Sequence, residues 1–174
     1  DLSPAYIETL LEGIAADCVE LNFSICTRRS AELVTILTSY FKAKGYEPTK
    51  LHGSVNWDGM NAMLLRGKDF EKEELVSLAK ATFEAALGLP FYRVLGVNAT
   101  TLSNAGAFVA HELGYALAWG NEYLSSLVEA GCETSLVAKK IKFNFGVGGN
   151  YFMEIAKFRA AKMLWAQIVD AYQG

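Results

Sequence analysis

A basic excess is missing from this 174-residue chain: 16 Lys and Arg stand against 19 Asp and Glu, a formal net charge of -3. A nucleic-acid or anionic-membrane surface needs the opposite balance. Cysteine is scarce, with Cys18, Cys26 and Cys132 only, an odd number without CxxC spacing. No disulfide framework or thiolate metal site follows, and three buried thiols in a reducing compartment are expected. There are two histidines, His52 and His111. No apolar run approaches the 18 or so residues that span a bilayer, and no basic-then-apolar leader opens the chain. A cytosolic-type interior is expected, with a mitochondrial matrix left open. What the chain does have is 52% hydrophobic residues, enough for one well-filled domain.

The apolar pattern alternates between strand and helix. Ser3-Pro4 reads as an N-cap followed by proline at the first helical position, opening AYIETLLEGI. CVELNFSI (18–25) reads as a strand. Ser30 is the expected cap of AELVTILTSYFKAK, whose stripe is Leu33, Val34, Leu37, Tyr40 and Phe41 before a stop at Gly45. LHGSVN (51–56), YRVLGVN (92–98) and IKFNF (141–145) read as three further strands. Helices are expected over 69–88, from about 104 to 129 and from 150 to 172.

Four strand–helix units argue for a parallel α/β sheet with right-handed crossovers, either doubly wound or an arc of a barrel. A whole (β/α)8 barrel needs about 250 residues, so only part of one fits. The last helix favours the arc. Glu154, Lys157, Arg159, Lys162, Gln167 and Asp170 scatter around it and leave no clean solvent face, as if more protein covered it. Such an arc is expected to present an apolar inner face and two free edges, and therefore to self-associate when isolated.

No short motif supplies a catalytic constellation. His111-Glu112-Leu113-Gly114-Tyr115 lacks the second histidine, at position 115, that a zinc protease helix needs. His111 is expected to be a helix residue satisfied by hydrogen bonds, and no catalytic metal is expected. Gly146-Val147-Gly148-Gly149-Asn150 follows a strand and precedes a helix, which suits a phosphate cradle, but it matches neither GxGxxG nor GxxxxGK[ST]. A tight turn is the simpler reading. Lys140 and Lys142 alternate with Ile141 and Phe143, so both are expected to point the same way. Asn56 and Asp58 at one strand end either meet a ligand or cap the next segment. Asn98, Thr100, Thr101, Ser103 and Asn104 lie at another strand end with no base to activate them, and Asn104 or Ser103 is the expected N-cap of the helix that follows.

One run is more specific than all of these. GVGGNYFMEIAKFRAAKMLWAQIV (146–169) resembles the barrel-helix signature of the adenosylcobalamin-dependent methylmalonyl-CoA mutase family. NAGAFVAHELGYALAWGNEYL (104–124) is similar to the family's strand-five to helix segment, and GSVNWD (53–58) to a weakened form of its GTIQND. The resemblance implies about four middle units of a TIM-type barrel, residues 1–174 forming one partial barrel domain with the cobalamin-binding domain absent from this chain. Family members bind acyl-CoA through the barrel and use adenosylcobalamin to interconvert methylmalonyl-CoA and succinyl-CoA, a step of acyl-CoA and propionate metabolism.

The family's catalytic chains read approximately SGYHxxEAGA where this chain has VNATTLSNAGA. Aligned through Ala105-Gly106-Ala107, Thr100 stands at the tyrosine, Thr101 at the histidine and Asn104 at the glutamate. Asn56 takes the place of a substrate-facing glutamine, and Trp57 that of an asparagine. The family's Pro-Arg-Leu-Ser-Phe-Phe aligns with 139–144, so Lys140 replaces an arginine that helps hold CoA, keeping the charge without the fork of donors. Threonine cannot carry a proton near neutral pH as imidazole does. The losses match the small, non-catalytic subunit of heterodimeric members. The resemblance therefore implies no catalytic residue, no metal and no cofactor held by this chain, with adenosylcobalamin in the complete enzyme and the catalytic large subunit as partner. Asn56, Thr100, Thr101, Asn104 and Lys140 are the candidates for a remnant pocket. An acyl-CoA mutase of altered specificity, using Asn56, Thr101, Asn104 and Lys140, is the alternative. An unrelated α/β module binding phosphate at Gly146–Gly149 is a third.

Overall fold

Strand order decides between the two parallel architectures. The computed structural model describes residues 2–67 and 69–172. Its elements run α1 (Pro4–Leu10), β1 (Leu21–Phe23), α2 (Ser30–Ala43), β2 (Gly53–Trp57), α3 (Gly59–Arg66), α4 (Lys72–Ala85), β3 (Tyr92–Val97), α5 (Thr100–Asn104), α6 (Val109–Glu129), α7 (Thr134–Lys140), β4 (Ile141–Phe143) and α8 (Tyr151–Ala171). The sheet is parallel in the order β1-β2-β3-β4. A doubly wound sheet reverses its order to place helices on both faces. Here every crossover steps the same way, so right-handed connections put all helices on one side, as in a barrel. The chain is an α/β arc of four strand–helix units.

Alternation sorts the strand residues between two faces. Val55, Trp57, Leu95, Val97 and Ile141 join the core with Leu37, Phe41, Phe83, Leu124 and Leu127 of the helices. Trp57 meets Tyr123 of α6 at 5.2 Å between ring centroids, and Phe143 meets Trp165 of α8 at 4.9 Å. Gly120 permits that second approach, because a Cβ there would strike the Phe143 and Trp165 rings. The opposite, inner face carries Asn22, Ser54, Asn56, Asn98, Lys142 and Asn144, which hydrogen-bond to one another. The apolar inner face expected from the sequence is therefore polar. The large exposed apolar side chains lie elsewhere, with Phe152 at 80% and Val147 at 72% in the β4–α8 region, and Leu64, Leu65, Phe108 and Tyr115 above 60%.

Several local expectations change. The Ser3 hydroxyl caps α1 through the Tyr6 N–H as expected, at 3.2 Å. Ser30 instead lies inside α2, with Arg29 at its cap position. The long helix expected from 104 is two helices: α5 ends before Gly106, whose φ of 92° is open to glycine, and α6 begins at Val109. Neither Ser103 nor Asn104 caps it. Helices α3 and α7, absent from the sequence reading, flank β2 and β4. Cys18 and Cys26 are exposed and Cys132 is partly so, where three buried thiols were expected. No helix among the described residues is long and apolar enough to cross a membrane.

The polar residues of α8 that gave it no solvent face are explained by two of them pointing inward. The Lys157 ammonium lies 2.9 Å from Glu112 of α6 and 2.6 Å from Glu154, with its own side chain 1% exposed. It also donates to the Gly146 carbonyl at 2.6 Å. Burial pulls the Lys157 pKa down, but hydrogen bonds and charge from Glu112 and Glu154 outweigh it and hold the group above its usual value. Glu154 is held below the usual carboxylate range by its Lys157 hydrogen bond and the Gly148 N–H.

Removing the cation would leave two buried carboxylates facing each other. Lys157→Met is expected to lower stability by about 3–5 kcal/mol, the scale for breaking a buried ion pair. Lys162→Met, on the exposed side of the same helix, should change it by less than about 0.5 kcal/mol. Urea unfolding of both variants checks the difference, and equal midpoints would contradict the clamp.

Candidate functional site

Parallel α/β sheets place their sites at the carboxyl ends of the strands. Here those ends converge on side-chain amides. Asn56 follows Ser54 on β2, Asn98 follows β3, and Asn144 follows β4. Asn56 Nδ2 donates to Asn98 Oδ1 at 3.1 Å, and Asn144 Nδ2 donates to the same oxygen at 2.8 Å and to Asn56 Oδ1 at 3.3 Å. Gly96 makes room for this row, since a Cβ at 96 would run into the Asn56 amide. One step toward the amino ends, Lys142 Nζ donates to Ser54 Oγ at 3.0 Å and Asn22 Oδ1 at 3.2 Å, and the Ser54 hydroxyl donates to Asn22 at 2.6 Å.

Asp58 orients the amide row from behind. Its carboxylate is 6% exposed and takes four donors: the Asn61 N–H at 3.0 Å, the Tyr123 hydroxyl at 2.7 Å, the Asn98 N–H at 2.9 Å and Asn98 Nδ2 at 2.6 Å. It thus caps α3 and fixes Asn98 with its carbonyl oxygen turned to Asn56 and Asn144. Burial pushes the Asp58 carboxyl up to about 6, against the pull of those four donors. Burial likewise raises the Tyr123 phenol well above its usual value. A cavity of about 90 Å³ opens beside Asp58, walled in part by Cys26, Asn56, Asn61, Arg66 and Asn98.

The candidates from the sequence divide. Asn56 lies in the amide row. Thr101 sits beside it, its hydroxyl donating to Asn61 Oδ1 at 2.7 Å. Thr100 joins through its backbone, its N–H donating to the Asn144 carbonyl at 3.0 Å. Asn104 is exposed at the end of α5 and makes no side-chain hydrogen bond among the described residues. Lys140 is not in the pocket. It ends α7, not β4, and its buried Nζ donates to the carbonyls of Ala86, at 2.9 Å, and Leu89 in the α4–β3 turn. Burial lowers it to about 8. Lys140 and Lys142 therefore point to different places, because the helix-to-strand junction falls between 140 and 141.

Both histidines lie away from the amide row. His111 is exposed on α6 beside Phe108, with no side-chain hydrogen bond among the described residues, contrary to expectation. His52 precedes β2 and stacks on Phe91 at 4.8 Å. The described residues contain no group of three or more metal-type side chains. The glycine turn is filled: the Gly146 N–H donates to Glu112 at 2.7 Å and the Gly148 N–H to Glu154 at 3.0 Å. Two carboxylates already in place would repel a phosphate. Ser54, Asn61, Tyr123 and Asn144 were missed, although an asparagine at or near the carboxyl end of β2, β3 and β4 was a readable signal.

Asp58 gives the site a pH signature. Its folded pKa lies above the ordinary value of 3.8, so the native state holds the proton more tightly than the unfolded chain between pH ~4 and ~6. The group's contribution is greatest below ~4 and falls as pH rises through 6, by about 2–3 kcal/mol at most. The stability of the wild type minus that of Asp58→Asn should therefore fall between pH 4.5 and 7 in urea unfolding. A difference that grew with pH would mean the four donors outweigh burial.

The sequence profile described as Methylmalonyl-CoA mutase matches residues 3–174. The chain is 50% identical over 166 residues to the methylmalonyl-CoA mutase small subunit of Porphyromonas gingivalis, covering 95% of this chain and 26% of that protein. Against a methylmalonyl-CoA mutase large subunit of Streptomyces virginiae it is 29% identical over 168 residues, 94% of this chain and 22% of the other. Against the human protein named methylmalonyl-CoA mutase, mitochondrial, it is 27% identical over 176 residues, 92% of this chain and 24% of the other. It spans about a quarter of the length of these relatives. With parallel strand–helix units in barrel order and a profile match from residue 3 onward, this chain belongs to the methylmalonyl-CoA mutase family.

Proposed function

We propose that this chain is a barrel segment of a small, non-catalytic mutase subunit, whose role is to assemble with and stabilise a catalytic large subunit. The observation that carries this reading is the composition of the strand ends. The amides of Asn56, Asn98 and Asn144 face one another there, the Thr101 hydroxyl donates to Asn61, and the Asp58 carboxylate is engaged by four donors. Thr100 and Thr101, at the positions that the resemblance gives to tyrosine and histidine, have no titratable group near neutral pH. The similarity to a protein named as a small subunit supports the same assignment.

The amide row offers adenosylcobalamin no imidazole to ligate its cobalt. His111 is exposed on α6 beside Phe108, and His52 stacks on Phe91 ahead of β2. In this reading the cofactor belongs to the complete enzyme. The altered-specificity alternative needs Asn56, Thr101, Asn104 and Lys140 around one substrate, whereas Asn104 lies at the surface and Lys140 under the α4–β3 turn.

Two measurements test the proposal. The full-length version of this chain, co-expressed with its matching large subunit, should elute as one complex in size-exclusion chromatography; separate elution would sink the subunit assignment. Alone, with methylmalonyl-CoA and adenosylcobalamin, it should form no succinyl-CoA. Thr100→Tyr combined with Thr101→His should not restore turnover, because the positioning groups and enclosed cavity that the reaction needs are not rebuilt by two side chains. Product formation that scaled with the concentration of wild-type chain would overturn the non-catalytic reading.

A further inference from the structure

The register of β3 and β4 pairs Lys142 with Gly96 on the inner face. The lysine lies across the inner face toward β1. Its Nζ reaches Ser54 Oγ on β2 at 3.0 Å and Asn22 Oδ1 on β1 at 3.2 Å, so one side chain from the fourth strand bridges to the first. Ser54 completes the triangle by donating to Asn22 at 2.6 Å. No carboxylate pairs with Lys142 among the described residues, and neutral oxygens hold its charge.

The next layer, toward the strand carboxyl ends, is the row of Asn56, Asn98 and Asn144, where Asn56 and Asn144 donate within the row and Asn98 donates to Asp58. A ligand lying along the strands would have to displace both layers. It would need to replace charge-assisted hydrogen bonds at Lys142 and a set of hydrogen bonds between amides above it, without leaving a donor unpaired.

We propose that Lys142, tied to Ser54 and Asn22 across the strands, is the residue that closes the inner face of this arc against an elongated ligand. It is a specificity-determining residue by exclusion. The inference rests on the non-catalytic reading above and gives it a steric and electrostatic cause separate from the loss of acid–base groups. It also states what a mutase of altered specificity would have to lack.

The test uses the full-length subunit and two probes, coenzyme A and pantetheine, in titration calorimetry. The wild type should give no binding heat with either, and Lys142→Ser should bind pantetheine at least about tenfold more tightly than the wild-type limit. Binding by the wild type, or no gain in the variant, overturns the proposal. A double-mutant cycle of Lys142→Met and Asn22→Ala in urea unfolding reads the tie itself. Each single change should cost about tenfold in the folding equilibrium, and the pair no more than the larger of the two. Strict additivity would show that no tie exists.

Should Lys142→Ser fail to fold, spectra of isotope-labelled lysine in the wild type decide. Slowed exchange of the Lys142 ammonium protons that is indifferent to pantetheine supports closure, and a shift of that signal on titration contradicts it. Complex formation with the large subunit is scored separately. Its failure would remove the subunit assignment and leave the closed inner face standing, while pantetheine binding would do the reverse.

Discussion

A single ammonium, that of Lys157, lies between two carboxylates in a place water does not reach, and the geometry of the strand ends follows from it. Glu112 comes from α6 and Glu154 from the start of α8, so the cation joins the two longest helices. The same three side chains hold the Gly146 carbonyl, the Gly146 N–H and the Gly148 N–H. The turn after β4 is thereby fixed at both ends, and Asn144, two residues earlier, is presented to the neighbouring strands. Its carbonyl accepts from Thr100 and its N–H donates to Val97, which joins the turn to α5 and β3. Ion pairs this deep contribute little net stability compared with apolar packing, and their value lies in admitting only one arrangement.

The inner face shows what such an arrangement is used for. Short amides on three strands form a closed set of donors and acceptors, with Asp58 choosing the direction of the Asn98 amide. Polar networks inside proteins are stable only when each member is satisfied. Here satisfaction comes from the chain's own side chains, which distinguishes this surface from a pocket whose polar groups wait for a ligand. The apolar exposure of the molecule falls instead on the flank and end of the arc, at Val147, Tyr151 and Phe152.

Much of the architecture was legible because it rests on periodicity. Four strand–helix alternations and the length of the chain pointed to a parallel arc, and Ser3 announced the first helix. Boundaries set by backbone geometry were not legible in the same way. Gly106 breaks what reads as a single apolar helix, and the junction between 140 and 141 separates two lysines that alternation placed together. The site was half visible. Asn56 and the threonines stood at strand ends, but the charged residues of α8 looked like scattered surface groups. Only the fold reveals that Glu154 and Lys157 turn inward to meet Glu112, because their partner is some forty residues away in sequence and no local pattern encodes it. The inner face was misread for a related reason: asparagine and serine in a strand look like solvent-facing residues until the helices are placed.

The bridge from Lys142 to Asn22 joins positions 120 residues apart in a sheet whose strands pair only with their sequence neighbours. Each strand pair closes a modest loop, so the sheet can grow from one unit to the next without waiting for distant parts of the chain. The lysine cannot. It finds its two oxygens only after β1, β2, β3 and β4 are all in register, and a slip at any one pairing carries Asn22 or Ser54 out of its reach. A polar contact on the inside of the arc thus acts as a proofreading step at the end of assembly, reporting on three strand alignments through one bond network.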